Sequence, residues 1–167
     1  MLHLLLGPVG AGKSTYGRKL ANEQRAMRLT LDDWMARLFG DDPRPENDRI
    51  AWYVERTQRC LGMIWEQTEE LSLLGVDVVL ELGLVRRQER EAYYQRVESA
   101  GLELKPYLID APRAVRRERV LQRNADRGET FHVEVPPAFF ELASDLWEPP
   151  DEAELAERGF VVVSRGD

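Results

Sequence analysis

The stretch GPVGAGKS, Gly7 to Ser14, decides how this chain is read. It fits the pattern G-x-x-x-x-G-K-[ST], with Gly7, Gly12, Lys13 and Ser14 at the fixed positions. The pattern has a physical cause. Glycines let consecutive backbone N–H groups turn inward around phosphate oxygens, and the helix that follows points its positive end at them. The lysine reaches the terminal phosphates, and the hydroxyl of Ser14 is placed to ligate Mg²⁺. On this reading Gly7, Pro8, Val9, Gly10, Ala11, Gly12, Lys13, Ser14 and Thr15 hold a nucleotide, ATP with its Mg²⁺. The alternative is an ordinary glycine turn between a strand and a helix. With typical residue frequencies, a chain of this length matches the pattern by chance on the order of once in a hundred cases.

Outward from the loop, LHLLL (residues 2–6) reads as a short buried strand, and the residues after the loop as a helix through about Gln24. A second strand is expected over Ala26 to Leu31, closing at Asp32 and Asp33, then a short helix to Phe39 and the turn-rich GDDPRPEN. Between Asp48 and Leu74 the apolar residues Ile50, Val54, Cys60, Ile64, Trp65 and Leu71 recur at helical spacing, with Gly75 as the stop. VDVVLEL, residues 76–82, has the β-branched character of a strand buried on both faces. A helix from Arg86 to Ala100, a strand over 102–110, an arginine-rich helix from Ala111 to Arg127 and a helix from Pro137 to Leu146 follow. EPPDEAE reads as an extended acidic loop and FVVV, residues 160–163, as a final strand. Strands alternating with helices predict a three-layer α/β sandwich with a mostly parallel sheet of five strands, in one domain over residues 1–167.

In such a sheet, ligands gather at the carboxyl ends of the strands, so acidic residues there carry weight. Asp32 is assigned the role of base towards an attacking hydroxyl, with Asp33 beside it, and Glu81 that of holding Mg²⁺ through water. Asp32 also suits a helix N-cap, and Glu81 a buried acid paired with an arginine. In APRAVRRERVLQRNADRG, Arg116, Arg119, Arg123 and Arg127 stand three or four apart on adjoining parts of one helical face. Such a segment, at about 111–136, can close over a nucleotide as a lid, with Arg119 and Arg123 on the phosphates; the ordinary alternative is a solvated helix paired with Glu118 and the acidic loop.

Composition bounds the rest. The chain has 167 residues, of which 43% are hydrophobic and 32% charged, the balance of an ordinary globular protein. A formal net charge of −7 disfavours nucleic-acid partners, since phosphate contacts supply most of that affinity. The charge is uneven: six arginines lie between Ala111 and Arg127, and five acids with no base between Glu148 and Glu157. That pattern fits a local anion site better than a polyanion-binding surface. The lone Cys60 sits in a helical pattern and suits a reducing, cytoplasmic setting; no apolar run approaches the roughly 20 residues of a membrane span. Trp34, Trp52, Trp65 and Trp147 suit either an acceptor pocket or the core, with Trp34 placed beside the carboxylates. His3 carries no expected chemistry, His132 suits either a substrate contact after the lid or an ordinary loop residue, and no Cys/His cluster has metal spacing.

Taken in order, GPVGAGKST, LTLDDWMARLFGDD, VDVVLELGLVRRQER, APRAVRRERVLQRN and LWEPPDEAE span nearly the whole chain. In that order they resemble the small P-loop kinases grouped with zeta toxins, chloramphenicol phosphotransferase, gluconate kinase and the kinase domain of polynucleotide kinases, and bacterial AAA-domain ATP-binding proteins. The resemblance implies a P-loop NTPase sandwich of the nucleotide-kinase kind with strand order 2-3-1-4-5. It also implies a base at Asp32, lid arginines at Arg119 and Arg123, and a substrate or phosphate arginine at Arg90. Two positions depart from the group's pattern: Met35 stands where many members carry an arginine, and Glu81 where many carry an aspartate.

The expected activity is transfer of the ATP γ-phosphate to a hydroxyl of a small-molecule or nucleotide-like acceptor, by a monomer that needs no membrane. Asp32, Asp33, Trp34 and Arg90 would face the acceptor, in a pocket built from residues of about 33–65 and 84–94. The alternatives are a polynucleotide 5′-hydroxyl kinase and a regulatory ATP-binding module without an acceptor. No N-K-x-D or T-K-x-D follows any strand, which argues against a guanine reader.

Overall fold

Five strands build one parallel sheet: β1 (Leu2–Leu6), β2 (Met27–Thr30), β3 (Val78–Glu81), β4 (Leu104–Asp110) and β5 (Val161–Ser164). The computed structural model describes residues 1–126 and 134–164; Arg127, His132 and the rest of the 127–133 stretch lie outside the described residues. The strand order is β2-β3-β1-β4-β5, the order expected from the resemblance. β1 is central because it has no polar face. All five of its residues are buried, with Leu2, Leu4 and Leu6 in one core layer and Leu5 in the other. Each such leucine contributes about 1.5–3 kcal/mol by leaving water.

The helices are α1 (Lys13–Gln24), α2 (Leu31–Phe39), α3 (Arg49–Leu73), α4 (Arg87–Ser99), α5 (Arg113–Asp126), α6 (Pro137–Asp145) and α7 (Glu152–Glu157). The larger core packs Ile64 and Trp65 of α3 and Tyr94 and Val97 of α4 on Leu4, Val78 and Leu80. The smaller one packs Leu20 and Ala21 of α1 on Leu5, Val79, Tyr107 and Ile109. Strand β3 has no exposed residue, because its two faces serve the two layers.

Two expectations need correcting. The chain leaves β2 at Thr30 and enters α2 at Leu31, so Asp32 and Asp33 stand in the first turn of a helix rather than at a strand end. There they complement the partial positive charge of the helix N-terminus. EPPDEAE is not extended throughout. Asp151 accepts the N–H of Glu154 at 2.8 Å and starts α7, an N-cap that the spacing of the acids concealed. His3 is a strand residue, buried with Nδ1 3.0 Å from the Tyr107 hydroxyl. Cys60 is buried and free, and burial pushes its thiol pKa up, as an inert packing residue requires. Among the described residues no helix is long and apolar enough to cross a membrane.

Candidate active site

The glycine loop turns from β1 into α1 under steric constraints that two glycines meet. Gly7 has φ +150°, and a Cβ there would sit 1.9 Å from the Ile109 carbonyl oxygen. Gly10 has φ +78°, and its Cβ would meet the Arg116 carbonyl at 2.7 Å and a Val120 methyl at 2.9 Å. The loop thus threads a gap bounded by β4 and α5 that admits only bare backbone. Gly12, itself left-handed at φ 99°, starts α1, whose first N–H groups have no partner within the helix. Lys13 Nζ donates to the carbonyls of Gly7 at 2.9 Å and Pro8 at 3.0 Å, which draws the ammonium over the loop.

At the end of β3, Glu81 is 6% exposed and accepts the Ser14 hydroxyl at 3.0 Å on Oε1. Its Oε2 has no hydrogen-bond partner and lies 3.8 Å from Arg28 Nη1. Burial raises the Glu81 pKa, against the pull of Lys13. Glu81 is thus a buried acid near an arginine, one of its two readings, and it is also bonded to the loop serine, which the sequence did not signal. A hydroxyl and an unsatisfied carboxylate oxygen are hard donors of the type that Mg²⁺ takes, directly or through its waters.

Asp32 and Asp33 part company in the first turn of α2. Asp33 accepts Arg28 Nη2 at 2.8 Å, whereas Asp32 is exposed and lines a cleft of about 830 Å³. That cleft also takes in Gly7, Val9, Gly10, Gly12, Lys13, Ser14, Thr15, Glu81, Arg119 and Arg123. Arg119 Nη1 reaches the Ala11 carbonyl at 3.5 Å. Arg123 has a buried Nε with no partner; burial lowers its pKa, while Asp32 and Glu81 pull it up. Pro8 and Ala11 are buried and do not line the cleft, and the Ala11 N–H is turned to the Pro8 carbonyl at 3.3 Å.

Three residues expected to face an acceptor stand elsewhere. Trp34 packs partly buried against the larger core, and Met35, the next residue of α2, is buried in that core outright. Asp33 is held by Arg28. Arg90 has no exposed surface: Nε and Nη2 both donate to Glu154 at 2.7 Å, and Nη1 to the Glu148 carbonyl at 2.8 Å. It joins α4 to α7, and it is neither solvated nor in the cleft.

The arginine helix α5 divides by function. Arg113 and Arg117 pair with Glu141 and Asp145 of α6, rather than with Glu118 or the acidic loop. Arg116 is buried and donates to the Val9 carbonyl at 3.0 Å and the Ser144 hydroxyl at 3.1 Å, which braces the glycine loop from behind. Arg119 and Arg123 are left for the cleft.

The far half of the cleft is lined by Tyr53, Thr57, Leu61, Ile64 and Trp65 of α3, the turn Leu82–Val85, and Tyr93 and Arg96 of α4. It falls in the region expected for an acceptor, with additions the sequence did not signal. Phe139 and Ala143 of α6 close one side, and Arg96 lies beyond the expected span. Nothing periodic marks Arg96, which stands among the charged residues of an outwardly ordinary helix.

Residues 2–142 match a family model described as an AAA domain. Among solved structures, Kti12 of Chaetomium thermophilum in complex with ADP-AlF3 is similar with a TM-score of 0.69 and 14% identity, covering 98% of this chain and 89% of that one. A sugar kinase from Janibacter sp. gives 0.62 and 15% identity, covering 97% and 83%. A gluconokinase from Sinorhizobium meliloti gives 0.55 and 19%, covering 96% and 80%. At these identities the likeness is one of fold, and it is the fold of small P-loop kinases with the strand order found here. The chain belongs to the AAA domain family, and its fold is that of a P-loop kinase-like protein.

Proposed function

We propose that this protein is an ATP-dependent phosphotransferase that moves the γ-phosphoryl group of ATP to a hydroxyl of a small-molecule or nucleotide-like acceptor. One observation carries the reading: the glycine loop, Lys13, Arg119, Arg123 and the carboxylate Asp32 line the same cleft, whose other half is open to an acceptor. Asp32, exposed to that cleft and free of the arginine that holds Asp33, accepts the proton of the attacking hydroxyl. The acceptor oxygen forms a bond to the γ-phosphorus as the bond to the bridging oxygen breaks and ADP leaves. Lys13, Arg119 and Arg123 neutralise the charge that spreads over the transferring group. Ser14 and Glu81 would hold Mg²⁺, which offsets phosphate charge when bound. The protein acts as a monomer on a soluble acceptor, with neither membrane nor nucleic acid as partner.

Asp32→Asn tests the assignment. Transfer should fall by roughly 10²–10⁴-fold, the range of a lost general base, while ATP affinity measured by isothermal titration stays within about twofold. A fully active variant would remove Asp32 from this role. Phosphate release with no phosphorylated acceptor would identify an ATP-binding module instead, and preference for oligonucleotide 5′-hydroxyls a polynucleotide kinase.

A further inference from the structure

We propose that the acceptor is an elongated amphipathic alcohol, with its hydroxyl at Asp32, an apolar ring-bearing body between α3 and α4, and an anionic group at the far end paired with Arg96. The inference rests on the phosphotransferase reading and names the acceptor class that this cleft selects.

Length is the first argument. The cleft wall on α3 runs from Tyr53, which feels the charge of Asp32, to Trp65. These residues are 12 positions apart, and at 1.5 Å per residue that is about 18 Å of helix. A single sugar ring reaches only part of that distance.

Chemistry is the second argument. Leu61, Ile64, Leu84 and the Trp65 and Tyr93 rings form the wall, and the two rings meet edge-on at 87° with centroids 5.9 Å apart. Recognition of a polyol needs several converging donors and acceptors, because each buried hydroxyl left unpaired costs free energy. Tyr53, Thr57 and Gln58 bring polar groups to the first part of the α3 wall, and Leu61, Ile64 and Leu84 beyond them bring none. The carboxylate of Glu89, which borders the cleft, already accepts the N–H groups of Val85 and Arg86 at 3.0 Å each.

Charge is the third argument. The Arg96 guanidinium lies 4.2 Å from the centre of the Trp65 ring, and no carboxylate among the described residues pairs with it. A guanidinium held over a ring by its carbon keeps N–H donors for a planar anion. The neighbouring Tyr93 hydroxyl is buried without a partner, and burial raises its pKa, so it stays a neutral donor.

The test is isothermal titration of the full chain, saturated with a non-hydrolysable ATP analogue, with four probes: 4′-(hydroxymethyl)biphenyl-4-carboxylate, 4-biphenylmethanol, gluconate and adenosine. The biphenyl carboxylate should bind at least about tenfold tighter than gluconate or adenosine, with 4-biphenylmethanol between them, a step of about 1.4 kcal/mol per tenfold. Arg96→Gln, an exposed position whose variant is checked by thermal unfolding, should erase the advantage of the carboxylate over the neutral alcohol. Tighter binding of gluconate or adenosine, no measurable binding of either biphenyl probe, or an undiminished carboxylate advantage in the variant would each overturn the proposal. Turnover with ATP and Mg²⁺ separates the two readings. A biphenyl carboxylate that binds as expected and is never phosphorylated supports the acceptor class and sinks the phosphotransferase reading.

Discussion

The hydroxyl of Ser14 donates to Glu81 Oε1 at 3.0 Å, so the first turn of α1 is tied to the carboxyl end of β3. Sequence separation between the two is 67 residues, and the parallel register of β1 on β3 is what brings them together. Burial already raises the pKa of this carboxyl, so carrying a charge there costs free energy. Glu81→Gln keeps the shape and removes the charge. The Mg²⁺ concentration for half-maximal turnover should rise about 10–100-fold, while thermal stability is unchanged or slightly higher. An unaltered Mg²⁺ requirement would take Glu81 out of the metal site.

Arg123 presents the same balance with opposite sign. Its Nε is buried and unbonded, and burial opposes its charge while Asp32 and Glu81 favour it. A perturbed charge in a cleft marks a candidate functional group. Arg123→Gln should lower turnover by roughly 10²–10³-fold, as for other lost transition-state donors, without lowering the urea midpoint. A loss of stability equal to that of a core mutation would make Arg123 structural.

The glycine loop and the parallel sheet were legible because each leaves a local mark: fixed glycine spacing, a β-branched run, alternation of strand and helix; the strand order was implied by the resemblance to small P-loop kinases, since no local pattern sets it. Glu81 was legible as a carboxylate at the end of such a strand, whereas Asp32, read the same way, stands in the first turn of α2. Arg90 was misplaced for a physical reason. Its partner Glu154 lies 64 residues away in a helix that was read as a loop, and nothing local to α4 shows that one of its many arginines is buried. Part of the cleft's lining escaped for a related reason. Arg96 and Phe139 owe their place to the packing of α4 and α6, and their own neighbours in sequence carry no periodicity that would single them out.

Gly7 and Gly10 should differ in tolerance. A methyl at Gly7 would lie 1.9 Å from the Ile109 carbonyl, which is backbone of a central strand and has no room to yield. At Gly10 the contacts are 2.7 Å to a helix carbonyl and 2.9 Å to a Val120 methyl, and the second of these can rotate away. Both positions have a backbone that favours glycine. Gly10→Ala is expected to cost about 1–3 kcal/mol and to weaken ATP binding, whereas Gly7→Ala should cost more and depress soluble yield. Urea unfolding of both variants gives the order, and equal costs would contradict the loop geometry.

The pairing of Arg90 with Glu154 predicts stability rather than rate. Burial by itself would push the Glu154 pKa up, but two hydrogen bonds from Arg90 and one from Tyr94 at 3.0 Å bring it below its ordinary value of 4.5. A carboxyl whose folded pKa is depressed stabilises the protein fully above the unfolded value, and that contribution fades as pH falls towards the folded value. Glu154→Gln leaves a buried guanidinium without its counter-ion, which costs about 3–5 kcal/mol near neutral pH, or a fall in melting temperature of roughly 10 °C. Calorimetry from about pH 8 to 5 should show a constant gap between the parent and the variant, and the gap should narrow below about pH 4.5 as the unfolded parent takes up its proton. Arg90→Met should destabilise comparably, yet turnover of the folded fraction should stay within about twofold of the parent, with KM for ATP unchanged. A variant that folds as well as the parent but fails to turn over would return Arg90 to the substrate site; the 0% exposure of its side chain and its bonds to Glu154 and the Glu148 carbonyl argue for the opposite outcome.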